Sequence, residues 1–222
     1  EEDGRGLAWT EADPSTSAPT PAPAHPAQAA ALLARPAPQD PSLAAAPSAP
    51  EAEHRQLTVM FCDLAESTQL SQQLDPEDLH AVIRAYQETA VAVVQRFDGY
   101  AAQYLGDGLL LYFGWPQAHE DDAHRGARAG LGIVEAITTT LNPRLEREYG
   151  VRLAVRIGLH TGPVVVGEMG VGGRHEQLAL GETTNIAARL EGLAAANTVV
   201  ISDVTARMIA GVFALADLGL HA

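Results

Sequence analysis

Two aspartates hold the residue types and spacing most suggestive of chemistry in this chain. Asp63 closes the apolar run 57–62 (Leu-Thr-Val-Met-Phe-Cys), and Asp107 lies in Tyr104-Leu105-Gly106-Asp107-Gly108, just ahead of the apolar run 109–113. Apolar, partly β-branched runs of this length bounded by Gly and Asp read as buried strands. A carboxylate at the end of a buried strand is costly to desolvate unless a positive group meets it. If the two strands are neighbours, the carboxylates repel each other, and a divalent cation removes the conflict. Mg²⁺ is typically held by one or two carboxylates together with substrate phosphates. The pair therefore points to metal-assisted phosphoryl chemistry. Taken singly, Asp63 reads equally well as a helix cap and Asp107 as a turn former.

The elements that would position them follow from pattern. A strand is expected over 57–63. Asp75-Pro76-Glu77-Asp78 is a helix start, with an N-cap and proline in the first position. That helix should run to about Arg96, with Leu79, Val82, Ile83, Tyr86, Ala90 and Val93 on one face. A hairpin over 100–105 and 109–113 would carry Asp107 at its tip, where glycine supplies the turn dihedrals. Residues 119 to about 149 read as helix, broken near Pro143. Residues 152–160 and 163–168 read as a second hairpin around Thr161-Gly162. A short strand over 177–180, a helix over 182–193, a strand over 198–201, a helix over 203–210 and a last strand from about Phe213 complete the order. Mixed βααβ then βαβ order predicts an α+β sandwich, with helices on a mostly antiparallel sheet.

Composition narrows the classes. The chain has 222 residues and a formal net charge of −14. Acidity of this size argues against a nucleic-acid surface, which needs a basic stripe. All 14 basic residues are arginine; there is no lysine. The single cysteine, Cys62, excludes an internal disulfide and fits a reducing compartment. No apolar stretch has the length of a membrane helix, and the acidic start has no signal-peptide pattern. A cytoplasmic protein is the expectation. Ten of the 14 prolines fall between Pro14 and Pro50. Residues 1–53 therefore read as a disordered Pro/Ala-rich linker, followed by one domain over 54–222.

Four separated motifs, in order, resemble the class III adenylate/guanylate cyclase catalytic domain. They are 59–68 (Val-Met-Phe-Cys-Asp-Leu-Ala-Glu-Ser-Thr), 104–108, 156–162 (Arg-Ile-Gly-Leu-His-Thr-Gly) and 181–190 (Gly-Glu-Thr-Thr-Asn-Ile-Ala-Ala-Arg-Leu). Phe113-Gly114-Trp115-Pro116, leading into His119-Glu120-Asp121-Asp122, is similar to bacterial cyclase domains attached to large ATPase-type signalling proteins. The resemblance implies a ferredoxin-like, palm-type sandwich, and the conversion of ATP to cyclic AMP and pyrophosphate with two Mg²⁺ or Mn²⁺ ions. It implies Asp63, Asp107 and the backbone carbonyl of Leu64 as metal ligands. Ser67 and Thr68 would meet phosphates at a helix start. Asn185 and Arg189, four apart on one helical face, would orient the ribose and stabilise charge on the α-phosphate. By spacing alone they read as an exposed polar face. Arg156 resembles a phosphate-contacting arginine, with an ion pair to an acidic helix as the other reading. His160 and His175 read as structural or surface residues, and Cys62 as inert core.

Two positions depart from the adenylate pattern. Gln103 stands where many relatives have a base-reading lysine, and Leu178 where they have Asp or Thr. A glutamine amide both donates and accepts, so it can read adenine or guanine. Because the chain carries both the aspartates and the Asn/Arg pair, the resemblance implies a homodimer with sites shared across the interface. It also implies flanking regulatory domains, and a Gly-containing hairpin beyond residue 222. The alternatives are a guanylate cyclase, or a weak or inactive cyclase-like module that dimerises or senses nucleotide, which Gln103 and Leu178 favour. A diguanylate cyclase would need a Gly-Gly-acidic-acidic-Phe hairpin, which 105–109 lacks.

Overall fold

The computed structural model describes residues 53–169 and 176–219. The expected linker, apart from Glu53, and His175 lie outside the described residues. The first half comprises β1 (Glu53–Leu64), α1 (Ser67–Gln73), α2 (Pro76–Gln95), β2 (Tyr100–Leu105), β3 (Gly108–Phe113) and α3 (Asp122–Ala136). A π-helical turn (Ile137–Leu141) then leads into α4 (Asn142–Tyr149). The second half comprises β4 (Val155–Met169), β5 (Glu176–Leu180), α5 (Glu182–Leu193), β6 (Thr198–Ile201) and α6 (Asp203–Met208). The strands form one sheet in the order β2-β3-β1-β4-β5, with β6 also paired to β4. Every pairing is antiparallel except β4 with β6. This is the expected α+β sandwich.

Side chains alternate between faces along β1. Met60, Cys62 and Leu64 join the core beneath α2, α3 and α4. Leu57 and Val59 join a second cluster with Leu110, Tyr112 and Ala187 of α5. Asp63 therefore shares the α5 face of the sheet, while Cys62 faces the opposite helices. Cys62 is 1% exposed, and burial pushes its thiol up to about 12, an inert core cysteine. α2 starts as the sequence predicts, with the Asp75 carboxylate accepting from the N–H groups of Glu77 and Asp78 at 3.0 and 2.9 Å. Its Val82, Tyr86, Ala90 and Val93 are buried.

Three expectations are corrected. Residues 155–169 form one 15-residue strand, not a hairpin around Thr161-Gly162. Thr161 donates its N–H to Thr205 Oγ1, away from β1, at 2.9 Å. Pro163, two residues on, has the same orientation. Pairing to β6 stops at Leu159 and pairing to β5 starts at Val165, so the proline's missing N–H falls on an open stretch of edge. Gly162 serves packing, since a Cβ there would lie 2.6 Å from Thr183 Oγ1. The helix expected from His119 starts at Asp122, whose carboxylate accepts from His119 N at 2.8 Å. Its interruption is the π turn ahead of Pro143, which sits in the first turn of α4. No strand forms from Phe213 to residue 219. The Phe213 ring packs instead against His124, with ring centroids 6.3 Å apart.

Candidate active site

Neighbouring strands bring the two aspartates together. β1 pairs β3 with Cys62 opposite Leu109, so the next step sets Asp63 beside Gly108. A Cβ on Gly108 would lie 3.4 Å from Asp63 Oδ1. Asp107 precedes Gly108 in the two-residue turn from β2 to β3. Gly106 supplies the left-handed backbone there, with φ 68°. Gln87 of α2 donates to Gly106 O at 2.8 Å and fixes the turn from below.

The pairing is electrostatically unfavourable on its own. Burial, then the Asp107 carboxylate, push the Asp63 carboxyl above its ordinary range, against the Leu64 N–H and Arg156. Asp107 Oδ2 is buried with no hydrogen-bond partner among the described residues. Arg156 stands opposite Asp63 across the β1–β4 ladder. Its Nη2 is 3.4 Å from Asp63 Oδ2 and its Nε 3.2 Å from Glu191 Oε1. The second contact is close but misaligned, leaving Nε and Oε1 buried without a hydrogen bond. Burial also raises the Glu191 carboxyl, opposed by Arg156 and reinforced by Asp63 and Asp107. One guanidinium thus serves two carboxylates, Asp63 and Glu191. Arg156 is hydrogen-bonded to Asp63 and ion-paired to Glu191 of α5.

Glu191 is the site residue that sequence reasoning missed. α5 carries Thr183 and Ala187 on its buried stripe, and Glu191 continues that stripe at i+4. An acid in line with buried residues on a predicted helix was the available signal. Asn185 and Arg189 stand exposed on α5. Among the described residues, neither has a hydrogen bond or ion pair to Asp63 or Asp107.

The remaining expected positions surround this centre. Glu66 has φ 61° and turns β1 into α1, leaving Ser67 half-buried and Thr68 exposed at the helix start. The N–H groups of a first helical turn have no intrahelical acceptor. Gln103 pairs with Leu110 across β2 and β3, which places it on the face of Phe61 and Asp63. Leu178 lies on β5 opposite Gly167; its side chain is outside the described residues. His160 is 7% exposed, with Nδ1 2.7 Å from Ser202 Oγ, a structural histidine.

The donor set fits a hard divalent cation. It offers two adjacent carboxylates, one with an orphaned buried oxygen, and main-chain carbonyls at the end of β1. Leu64 is 1% exposed, so only its main chain can contribute. Among the described residues no group of three or more His, Cys, Asp or Glu side chains is arranged to hold a metal, so a cation here would draw the rest of its shell from main chain, water and phosphate.

The sheet, the flanking helices and the aspartate pair at adjoining strand ends define a nucleotidyl cyclase domain. The profile of the adenylate and guanylate cyclase catalytic domain matches residues 49–219, and the chain belongs to that family, the class III nucleotidyl cyclases. It is 32% identical over 140 residues to adenylate cyclase 1 of Rhizobium meliloti (strain 1021), covering 63% of this chain and 21% of that protein. It is 32% identical over 155 residues to the cytidylate cyclase of Escherichia coli, covering 67% of this chain and 34% of that protein. The chain therefore spans about a fifth to a third of the length of these relatives. The crystal structure of the adenylyl cyclase CyaB from P. aeruginosa superposes with a TM-score of 0.74 at 27% identity, covering 78% of this chain and 89% of that one. Among the described residues no helix is long and apolar enough to cross a membrane.

Proposed function

We propose that this domain converts ATP to cyclic AMP and pyrophosphate as a cytoplasmic homodimer regulated by flanking domains. The observation that carries the reading is the Asp63–Asp107 juxtaposition, with a buried, unpartnered Asp107 oxygen. Asp63, Asp107 and the Leu64 carbonyl would hold two Mg²⁺ or Mn²⁺ ions, which supply charge neutralisation and acidify the ribose 3′-hydroxyl. The 3′-hydroxyl gives its proton to water, its oxygen bonds to the α-phosphorus as the bond to the α–β bridging oxygen breaks, and pyrophosphate leaves. Ser67 and Thr68, with the first turn of α1, receive phosphate oxygens. Asn185 of the partner subunit orients the ribose. The partner's Arg189 stabilises charge developing on the α-phosphate. The exposure of both residues on α5 supports their service to a second copy. Gln103 and Leu178 are the positions assigned to reading the base.

A guanylate cyclase is the second reading, because the Gln103 amide can pair with either purine. Incubating the protein with ATP, GTP or CTP and Mn²⁺ or Mg²⁺, then resolving products by chromatography, tests both. Cyclic AMP as the main product is expected. Cyclic GMP alone would transfer the assignment to GTP. The absence of any cyclic nucleotide would overturn catalysis and leave a dimerising or nucleotide-sensing module.

A further inference from the structure

We infer that Glu191 is a positioning residue that draws Arg156 away from Asp63 and so sets how readily Asp63 takes a divalent cation. The inference rests on the proposed assignment of Asp63 to a metal. The ladder sets the Arg156 backbone directly opposite Asp63. Its guanidinium lies between Asp63 Oδ2 at 3.4 Å and Glu191 Oε1 at 3.2 Å. Any cation that binds Asp63 must share that carboxylate with Arg156. Glu191 is the acid that can take up the guanidinium instead.

Glu191 is held in place for this role. Gly158 lies two residues from Arg156 on the same face of β4, and a Cβ there would come within 2.2 Å of Glu191 N and 2.4 Å of Ala187 O. The helix backbone therefore rests directly on the strand, and the Glu191 side chain is 16% exposed. At such burial, Coulomb interactions are several-fold stronger than on an open surface. An acid kept at this depth beside one arginine has no other basic partner among the described residues.

A purely structural pair and a charge-sharing pair differ in sign. If Arg156 competes for Asp63, Arg156→Gln should tighten Mn²⁺ binding a few-fold. Glu191→Gln, which releases Arg156 wholly to Asp63, should weaken it by about tenfold. The double variant should match Arg156→Gln alone, because Glu191 acts through Arg156. Mn²⁺ affinity is read by electron paramagnetic resonance, with and without a non-reactive nucleotide analogue, and folding by thermal melting. Weaker binding in Arg156→Gln overturns the inference, as does a Glu191 effect that persists in the double variant. If Glu191→Gln does not fold, Arg156→Gln alone decides, by the direction of its change. A wild-type protein that holds no Mn²⁺ under either condition overturns the metal assignment itself, which separates the two failures.

Discussion

Gly158 of β4 and Glu191 of α5 meet backbone to backbone, so closely that a Cβ on the glycine would lie 2.2 Å from Glu191 N and 2.8 Å from its Cα. Neither partner atom is the end of a flexible side chain. Gly158→Ala must therefore lift the helix or bend the strand. A loss of roughly 1–3 kcal/mol is expected, with reduced product formation because α5 carries Asn185 and Arg189. Gly192, on the same helix, has nothing within 4 Å of a built Cβ. Gly192→Ala should leave activity unchanged and stability unchanged or improved by up to about 1 kcal/mol. Denaturant melts of the two variants side by side check the pair. Equal losses would show that the contact at Gly158 is not limiting.

Removing one carboxylate of the aspartate pair should separate activity from stability. Burial and Asp107 raise the Asp63 carboxyl, so the folded state holds that proton to higher pH than the unfolded chain. The associated stability is full at low pH and falls as pH rises from the ordinary 3.8 through the raised value. Asp107→Asn is expected to melt higher than wild type above that window and to converge with it in acid. Product formation should be lost. Thermal melts across pH, together with the cyclase assay, test both halves. A variant that keeps most activity would remove Asp107 from the site.

His160 should make the fold acid-sensitive in the opposite sense. Burial lowers its pKa below the ordinary 6.5, with Glu182 opposing. Below 6.5 the unfolded chain takes a proton that the folded protein does not, so stability falls as pH drops through that range. The imidazole also joins a hydroxyl chain from Ser202 through Thr205 and Thr161 to Thr58, with contacts of 2.7–3.1 Å. His160→Gln is expected to be less stable near neutrality and to show a shallower loss between about pH 7 and about pH 5. Urea midpoints at several pH values measure the slope. An unchanged slope would place the proton-linked group elsewhere.

Shared sites predict complementation. A mixture of Asp63→Ala and Arg189→Ala subunits should recover about a quarter of wild-type activity if subunits assort randomly and each hybrid holds one intact site. Each variant alone should be inactive. Confirmed heterodimers without activity would mean that one chain builds its site from its own residues.

Base choice should respond to the two departing positions. Gln103→Lys with Leu178→Thr is expected to raise the preference for ATP over GTP by about tenfold, one well-placed hydrogen bond being worth roughly 1–2 kcal/mol. The ratio of kcat/KM for the two nucleotides reads the change. A constant ratio would detach these residues from the base.

Local signals carried much of the fold. The Asp75 cap with Pro76 fixed the start of α2, and α5 and β6 occupy the ranges that their periodicity predicts. The aspartate pair was legible because strand ends and a glycine turn are written locally. What was not legible depends on tertiary partners. Thr161-Gly162-Pro163 has the composition of a turn, yet α5, α6 and an open edge convert it to strand. Phe213 resembles the start of a strand until His124 offers a ring to pack on. Glu191 gains its meaning only when Gly158 and Arg156 are known to lie beneath it.

The register shift between Ala101 and Gln103 has an evolutionary corollary. From Gln103 to Gly108 the pairing is counted from the two-residue tip, with Gln103 opposite Leu110 and Leu105 opposite Gly108. The extra residue is absorbed upstream, where Tyr100 still meets Tyr112. Insertions and deletions between α2 and the bulge can therefore slide Tyr100 and Ala101 without moving Gln103 relative to Asp107. The tip behaves as a cassette. Gln103, the proposed base-reading position, can diversify by substitution while the connection behind it changes length, so the linkage to α2 can drift while Gln103 and Asp107 keep their spacing.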